Sequence, residues 1–267
     1  MAAGAGRQIV SAHDPEMRHG RQTTARRFTG YKLHAAAASE APILTAISLS
    51  AANEHDGQLA GALVDQQAEQ RRPKRVLGDT AYGNVEVREQ LEEERSISVL
   101  APVHSSSPKQ GSIAKEEFAI DLQSETVTCP SGKTAPIYKS RPPRPNAEPR
   151  PSRPKAAGDR VARFARSDCE PCPLRPRCAP GGRREIRISR REDLRQAALQ
   201  ALSDPAERDY LKRTRPRIER LLGLIVYRYG GRKSRYLGAR KTTLQAVWTA
   251  VLVNLHPIAA ALGASPA

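Results

Sequence analysis

The sequence predicts an α/β fold: a mixed sheet with flanking helices, interrupted by a loop-rich insertion. Three observations lead there. Between Phe28 and Val103 the apolar periodicity alternates between strand and helix spacing. From residue 104 to 204 that pattern dissolves into Ser-, Pro- and Gly-rich chain, and from 205 helical spacing returns. The expected organisation is a poorly structured extension over 1–27 and a first part of the main domain over 28–103. An insertion over 104–204 follows, and helices over 205–267 complete the main domain.

Tyr31 to Ala37 and Ile43 to Leu49 read as a hairpin of two strands turned at Glu40-Ala41-Pro42. Asp56 is a candidate cap for a helix that carries Leu59, Leu63 and Val64 on one face. Arg75 to Gly78 reads as a short strand, Asn84 as the cap of a helix over Val85 to Glu94, and Ile97 to Val103 as a further strand. Within the insertion only Phe118 to Cys129 looks β-like, and the rest is expected to be partly disordered, including a Pro/Arg-rich linker from Lys139 to Lys155. Helices are expected over Asp193 to Leu202, over Pro216 to Tyr229 with Pro216 in the first turn, and over Thr242 to Leu262. The last is nearly uncharged, so it should be buried.

Lys and Arg total 44 against 28 Asp and Glu, a formal charge of +16 with pI near 10.2 in a 29.2 kDa chain. Such a balance suits a protein that neutralises phosphates, so nucleic acid is the first partner to consider. No apolar run was expected to reach the roughly 20 residues of a membrane span, and the N-terminus lacks the order of a signal peptide. Three of the four cysteines fall within ten residues, which favours metal ligation over disulfides.

Two acidic residues stand out. Asp79, in Gly78-Asp79-Thr80-Ala81-Tyr82-Gly83, follows a short strand, where open sheets gather functional side chains. Glu219 lies beside the stripe of Ile218, Leu221, Leu222 and Ile225, placed to point along a seam between helix and sheet. The plainer readings are a turn Asp satisfying backbone donors and a surface Glu paired with Arg215, Arg217 or Arg220. As a pair they suit a divalent-metal phosphoryl-transfer site built from hard oxygen ligands.

These segments, with Asp14-Pro15-Glu16-Met17-Arg18-His19-Gly20, Phe28 through His34, Asn53-Glu54-His55-Asp56, Cys169 through Cys178, and Tyr210 through Arg220, occur in an order that resembles the DDE transposases of bacterial insertion sequences. The resemblance spans nearly the whole chain. It implies a ribonuclease H-like catalytic domain with a cysteine-bearing insertion, in which Asp79 and Glu219 are the second and third catalytic carboxylates and bind Mg²⁺ or Mn²⁺. Water, then a DNA 3′-hydroxyl, would attack phosphodiesters in line. It implies DNA as partner, both transposon ends and target, allows a homo-oligomer, involves no membrane, and suggests a cytoplasmic, nucleoid-associated bacterial location. The family's first carboxylate lies on a strand ahead of the Gly-Tyr-Lys strand, and no matching sequence stands before Tyr31, since Asp14 falls in a different motif. The chain therefore reads as N-terminally truncated, with a central strand missing from its sheet.

By the same resemblance Tyr210, Arg213 and Arg217 belong to a tyrosine-arginine-glutamate signature with Glu219, and Arg228, Arg232 and Lys233 hold DNA phosphates. Arg228 is explained equally by a helix C-terminus. Cys129, Cys169, Cys172 and Cys178 can form a four-thiolate zinc site of structural role, or remain reduced thiols. Besides an active transposase, the residues allow an inactive remnant that still binds DNA, a metal-dependent nuclease, and a basic zinc-containing DNA-binding module.

Overall fold

The computed structural model describes residues 10–21, 25–104, 111–139 and 160–263. Most of the Pro/Arg-rich linker lies outside them. The chain forms two compact units, one from 1–103 with 198–267 and the other from 104–197.

In the first unit the strands are β1 (Arg18–Arg21), β2 (Arg27–Ala37), β3 (Leu44–Ala51), β4 (Arg75–Leu77) and β5 (Ser98–Leu100). The α/β class stands, but among the described residues the strands fall into separate sheets. One is antiparallel, β1-β2-β3, and the other is the parallel pair β4-β5. The extension expected to be poorly structured contains β1, paired with β2 from Arg18 opposite Gly30 to Arg21 opposite Arg27. Short helices α1 (Ala60–Asp65) and α2 (Val85–Arg88) bring Ala60, Val64 and Val87 onto Ile97, Val99 and Ala101, joined by Leu91. The helix expected to run to Glu94 changes to a π-helical turn at Glu89–Glu93. The buried Arg88 fastens that region, donating to the carbonyls of Val99 and Ala101 at 3.0 and 3.1 Å.

Residues alternate across β2, so its two faces meet different partners. Leu33, Ala35 and Ala37 join a core of Leu44, Ile47, Leu221, Ile225, Ala250 and Val253, while His34 is buried on the other face against Ser50 and Tyr82. That core is closed by two long helices, which we number after the second unit.

Among its described residues the second unit holds more strands than the sequence suggested. Strands β6 (Ala119–Asp121), β7 (Thr126–Thr128), β8 (Thr134–Lys139), β9 (Arg160–Arg163) and β10 (Glu185–Ile188) make one antiparallel sheet in the order β10-β9-β8-β7-β6. Alternate inward residues, including Val127, Ile137, Ala162, Ile186 and Ile188, meet Ile113, Phe118 and Phe164 in a core of their own. Two single-turn helices, α3 (Arg166–Cys169) and α4 (Arg175–Cys178), lie between β9 and β10. Helix α5 (Glu192–Ala201) follows, with the fully buried Glu192 bonded by Lys115 at 2.7 Å and Arg195 at 3.1 Å.

The long helices of the first unit are α6 (Pro205–Gly223) and α7 (Ala239–Ala261). Pro205, not Pro216, occupies the first turn of α6, after an Asp204 cap whose side chain accepts from the Ala206 N–H. Pro216 lies inside the helix. Helix α7 departs most from expectation. It buries only Thr242, Thr249, Ala250 and Val253, while its large apolar residues are exposed. By length and composition it is apolar enough to cross a membrane, with mean hydropathy 1.3, correcting the reading that no run reaches that length.

Candidate active site

Asp79 stands two residues past β4, and its position is set by local bonds. The Gly78 N–H continues the parallel ladder by donating to the Leu100 carbonyl at 3.1 Å, after which the chain turns. Asp79 Oδ1 accepts the Ala81 N–H at 2.9 Å, and the Tyr82 N–H donates to the Asp79 carbonyl at 3.0 Å. Asn84 closes the turn as expected, accepting the Val87 N–H at 2.8 Å as the cap of α2. Two glycines let other segments approach. A Cβ on Gly83 would collide with the Pro102 carbonyl, and one on Gly57 would meet the Ala81 carbonyl and Val87.

Through Gly57 the segment after β3 lies against the Asp79 turn. The cap of its 3-10 turn is His55, whose Nδ1 accepts the Gly57 N–H at 3.2 Å, rather than Asp56. Asp56 instead accepts Lys32 Nζ at 2.7 Å, and Lys32 also donates to the Glu54 carbonyl. The Tyr82 hydroxyl is 3.4 Å from His34 Nδ1, and burial together with the charges of Asp56 and Asp79 pushes its pKa up to about 12. Burial holds His34 below the usual histidine range, aided by Lys32 and opposed by Asp56 and Glu54. His19, Arg21, Lys32, Asn53, Glu54, His55 and Asp56 line one open, polar cleft of about 430 Å³. Of these, the sequence marks Asp56 as a helix cap and within the Asn53-Glu54-His55-Asp56 motif, and Lys32 only as part of a strand motif. The β2-β3 hairpin was legible in the sequence, but which of its side chains meet the segment after β3 has no local signal.

Glu219 has a different setting. It lies on α6 beside Ile218, Leu221 and Leu222, as the periodicity implied, but is exposed, and its Oε1 is 3.2 Å from Arg215. Arg217, two residues before it, donates to the Ser39 carbonyl at the far end of β2 from Lys32. Asp79 and Glu219 share no hydrogen-bond or ion-pair partner among the described residues, and no group of three or more His, Cys, Asp or Glu side chains there is arranged to hold a metal ion. Asp14 has a capping role. Its buried carboxylate accepts the Tyr31 hydroxyl at 2.8 Å and the Gly238 N–H at 2.8 Å, and Glu16 accepts the Ala239 N–H, so both secure the start of α7.

Tyr210 is half-buried under the Arg75 guanidinium, 5.8 Å from the ring centre, and Arg75 also pairs with Glu207. Arg213, Arg228, Arg232 and Lys233 are exposed, with Arg232 over the Tyr227 ring. In the second unit Cys129, Cys169, Cys172 and Cys178 line one cavity beside Ser131, Leu174 and Arg184, yet as placed they do not make up a metal centre. The Ser131 hydroxyl, 3.1 Å away, and the backbone N–H groups of Leu174 and Arg175 hold the Cys172 thiol below the usual range, whereas burial pushes Cys178 up.

An acidic residue at the exit of a parallel strand, in a basic α/β unit interrupted by a separate β unit, fits a nucleic-acid-processing domain. The chain belongs to the transposase DDE domain family, whose family model matches residues 7–255. No curated protein and no solved structure matches it.

Proposed function

We propose that the chain takes part in metal-dependent DNA cleavage and strand transfer, with Asp79 as a catalytic carboxylate and Glu219 as its partner. The observation that carries this reading is the Asp79 turn. One carboxylate oxygen is committed to the Ala81 N–H, which fixes the side chain, while the other has no bonded partner among the described residues. Both acids offer hard oxygen donors suited to Mg²⁺ or Mn²⁺, which when bound would stabilise charge on the attacking and leaving oxygens of an in-line displacement. The protein's own residues fix Asp79, and Arg21 and Lys32 in the adjoining cleft offer cations to the phosphates of a DNA strand. Glu219 must leave Arg215 to join Asp79, and an exposed pair of this kind holds by no more than about 1 kcal/mol.

The unassembled carboxylates also favour a second reading, a chain that binds DNA without cutting it. Incubating the full chain with labelled donor DNA in Mg²⁺ or Mn²⁺ separates the two. Nicking that Asp79→Asn and Glu219→Gln each abolish, with binding retained, supports catalysis. Binding without nicking supports the second reading, and nicking unaffected by Asp79→Asn removes Asp79 from the mechanism.

For the second unit we propose structural Zn²⁺ on Cys129, Cys169, Cys172 and Cys178, supported by their common cavity. Metal analysis should find one zinc per chain, lost in Cys172→Ser. Purified protein without zinc rejects the site.

A further inference from the structure

We infer, resting on the reading of Asp79 as catalytic, that His34 and Tyr82 form a positioning pair through which strand β2 holds the Asp79 carboxylate in place. Tyr82 secures the turn on both sides of that carboxylate. Its N–H donates to the Asp79 carbonyl at 3.0 Å, and its side chain covers Gly78, where an added Cβ would stand 2.6 Å from the Tyr82 Cβ. The ring packs against the core that includes Val87 and Leu91. Packing gives the hydroxyl no task. Its one bonded partner among the described residues is Nδ1 of the buried His34, at 3.4 Å.

The bonds around His34 run in one direction. Ser50 Oγ donates to the Ala51 carbonyl at 3.3 Å and lies 2.9 Å from His34 Nε2, so it is placed to accept from an Nε2–H. A neutral ring with its proton on Nε2 keeps a lone pair on Nδ1, and that lone pair accepts from the Tyr82 hydroxyl. Burial keeps the ring neutral against the charges of Asp56 and Glu54, with Lys32 assisting. The chain of donors thus starts in the Asp79 turn and ends on β3, the strand paired with β2. A histidine that only joined β2 to β3 would need Nε2 alone. The contact to Tyr82 is long, yet without it the half-buried hydroxyl has no acceptor.

Two isosteres separate the ring nitrogens. An Asn side chain reaches the place of Nδ1 and a Gln side chain that of Nε2, so His34→Asn retains an acceptor for Tyr82 and His34→Gln does not. In the full chain, without metal or DNA, amide exchange at Ala81 and Tyr82 reads the two bonds that fix Asp79. Both amides should exchange about fivefold faster in Tyr82→Phe and in His34→Gln, the effect of losing one weak hydrogen bond, and at nearly the parental rate in His34→Asn. Amides within α6, in the same unit, should keep their rates. Unchanged rates at Ala81 and Tyr82 in both loss variants overturn the proposal, as does an equal rise in His34→Asn or a rise shared by α6. The Mn²⁺ concentration for half-maximal nicking should follow the same order, raised in Tyr82→Phe and His34→Gln but not in His34→Asn. Exchange is read without cleavage, so a chain that nicks no DNA removes the catalytic reading of Asp79 and leaves exchange to decide the pair.

Discussion

Two buried titratable residues give the units separate acid responses. In the first unit His34 bonds to Ser50 at 2.9 Å and is held neutral, because burial lowers its pKa. The unfolded chain, with an ordinary histidine pKa of about 6.5, takes up this proton first, so His34 lowers stability as pH falls below that value. Glu192 works at lower pH. Burial raises its pKa, but Lys115, the Ser189 N–H and Arg195 outweigh burial and hold it below the usual range. Its contribution is full above the unfolded-state value of about 4.3 and is lost as pH falls through the folded one. Melting followed from pH 8 to 3 should therefore show the first unit weakening from about pH 6.5 and the second only from about 4.3. His34→Gln should remove the earlier loss. Glu192→Gln, which leaves Lys115 and Arg195 without a carboxylate, should cost the second unit about 3 kcal/mol at neutral pH. A pH profile unmoved by His34→Gln rejects that assignment.

Among the elements, the turn from Gly78 to Asn84 is the most constrained part of the candidate site. Gly83 packs against the Pro102 carbonyl just beyond β5, so Gly83→Ala must push backbone from backbone. We expect a loss of about 1–3 kcal/mol with larger damage to DNA cleavage, since the displaced segment carries Asp79. A variant as stable and as active as the parent shows that the approach is unnecessary. The same turn shows what could be read from sequence. The turn Asp and the Asn84 cap are each formed by residues within three positions of one another, and each has a local signature. In the sheet of the second unit only β6 and β7 have one, within the β-like stretch from Phe118 to Cys129; β9 and β10 are only four residues long, and β8 pairs with β9 across some twenty intervening residues. Composition showed that α7 is apolar but not which face packs, and its inward residues proved to be the small ones. The relation of Glu219 to Asp79 was unreadable for a similar reason. Helical periodicity places Glu219 beside an apolar stripe, but tertiary packing decides which part of the sheet that stripe meets.

At the scale of the molecule, charge divides the protein's surfaces by task. The excess of 44 cationic over 28 acidic side chains is absent from the outer face of α7. It is present in the exposed Arg213, Arg228, Arg232 and Lys233. One surface is thus suited to apolar contact and others to phosphate. Contacts of the second kind release counterions, so binding should weaken linearly in the logarithm of salt concentration with a slope of about −0.9 per phosphate neutralised. If the four exposed cations each hold a phosphate, they account for about 3.6 of that slope. Titrating labelled duplex DNA across a salt series should show the slope falling by about 2 when Arg232 and Lys233 are both replaced by Ala. The loss should be equal for unrelated DNA sequences, because phosphates carry no base information. A slope unchanged in that double variant removes these residues from the interface, and a loss confined to one sequence makes them base-reading instead.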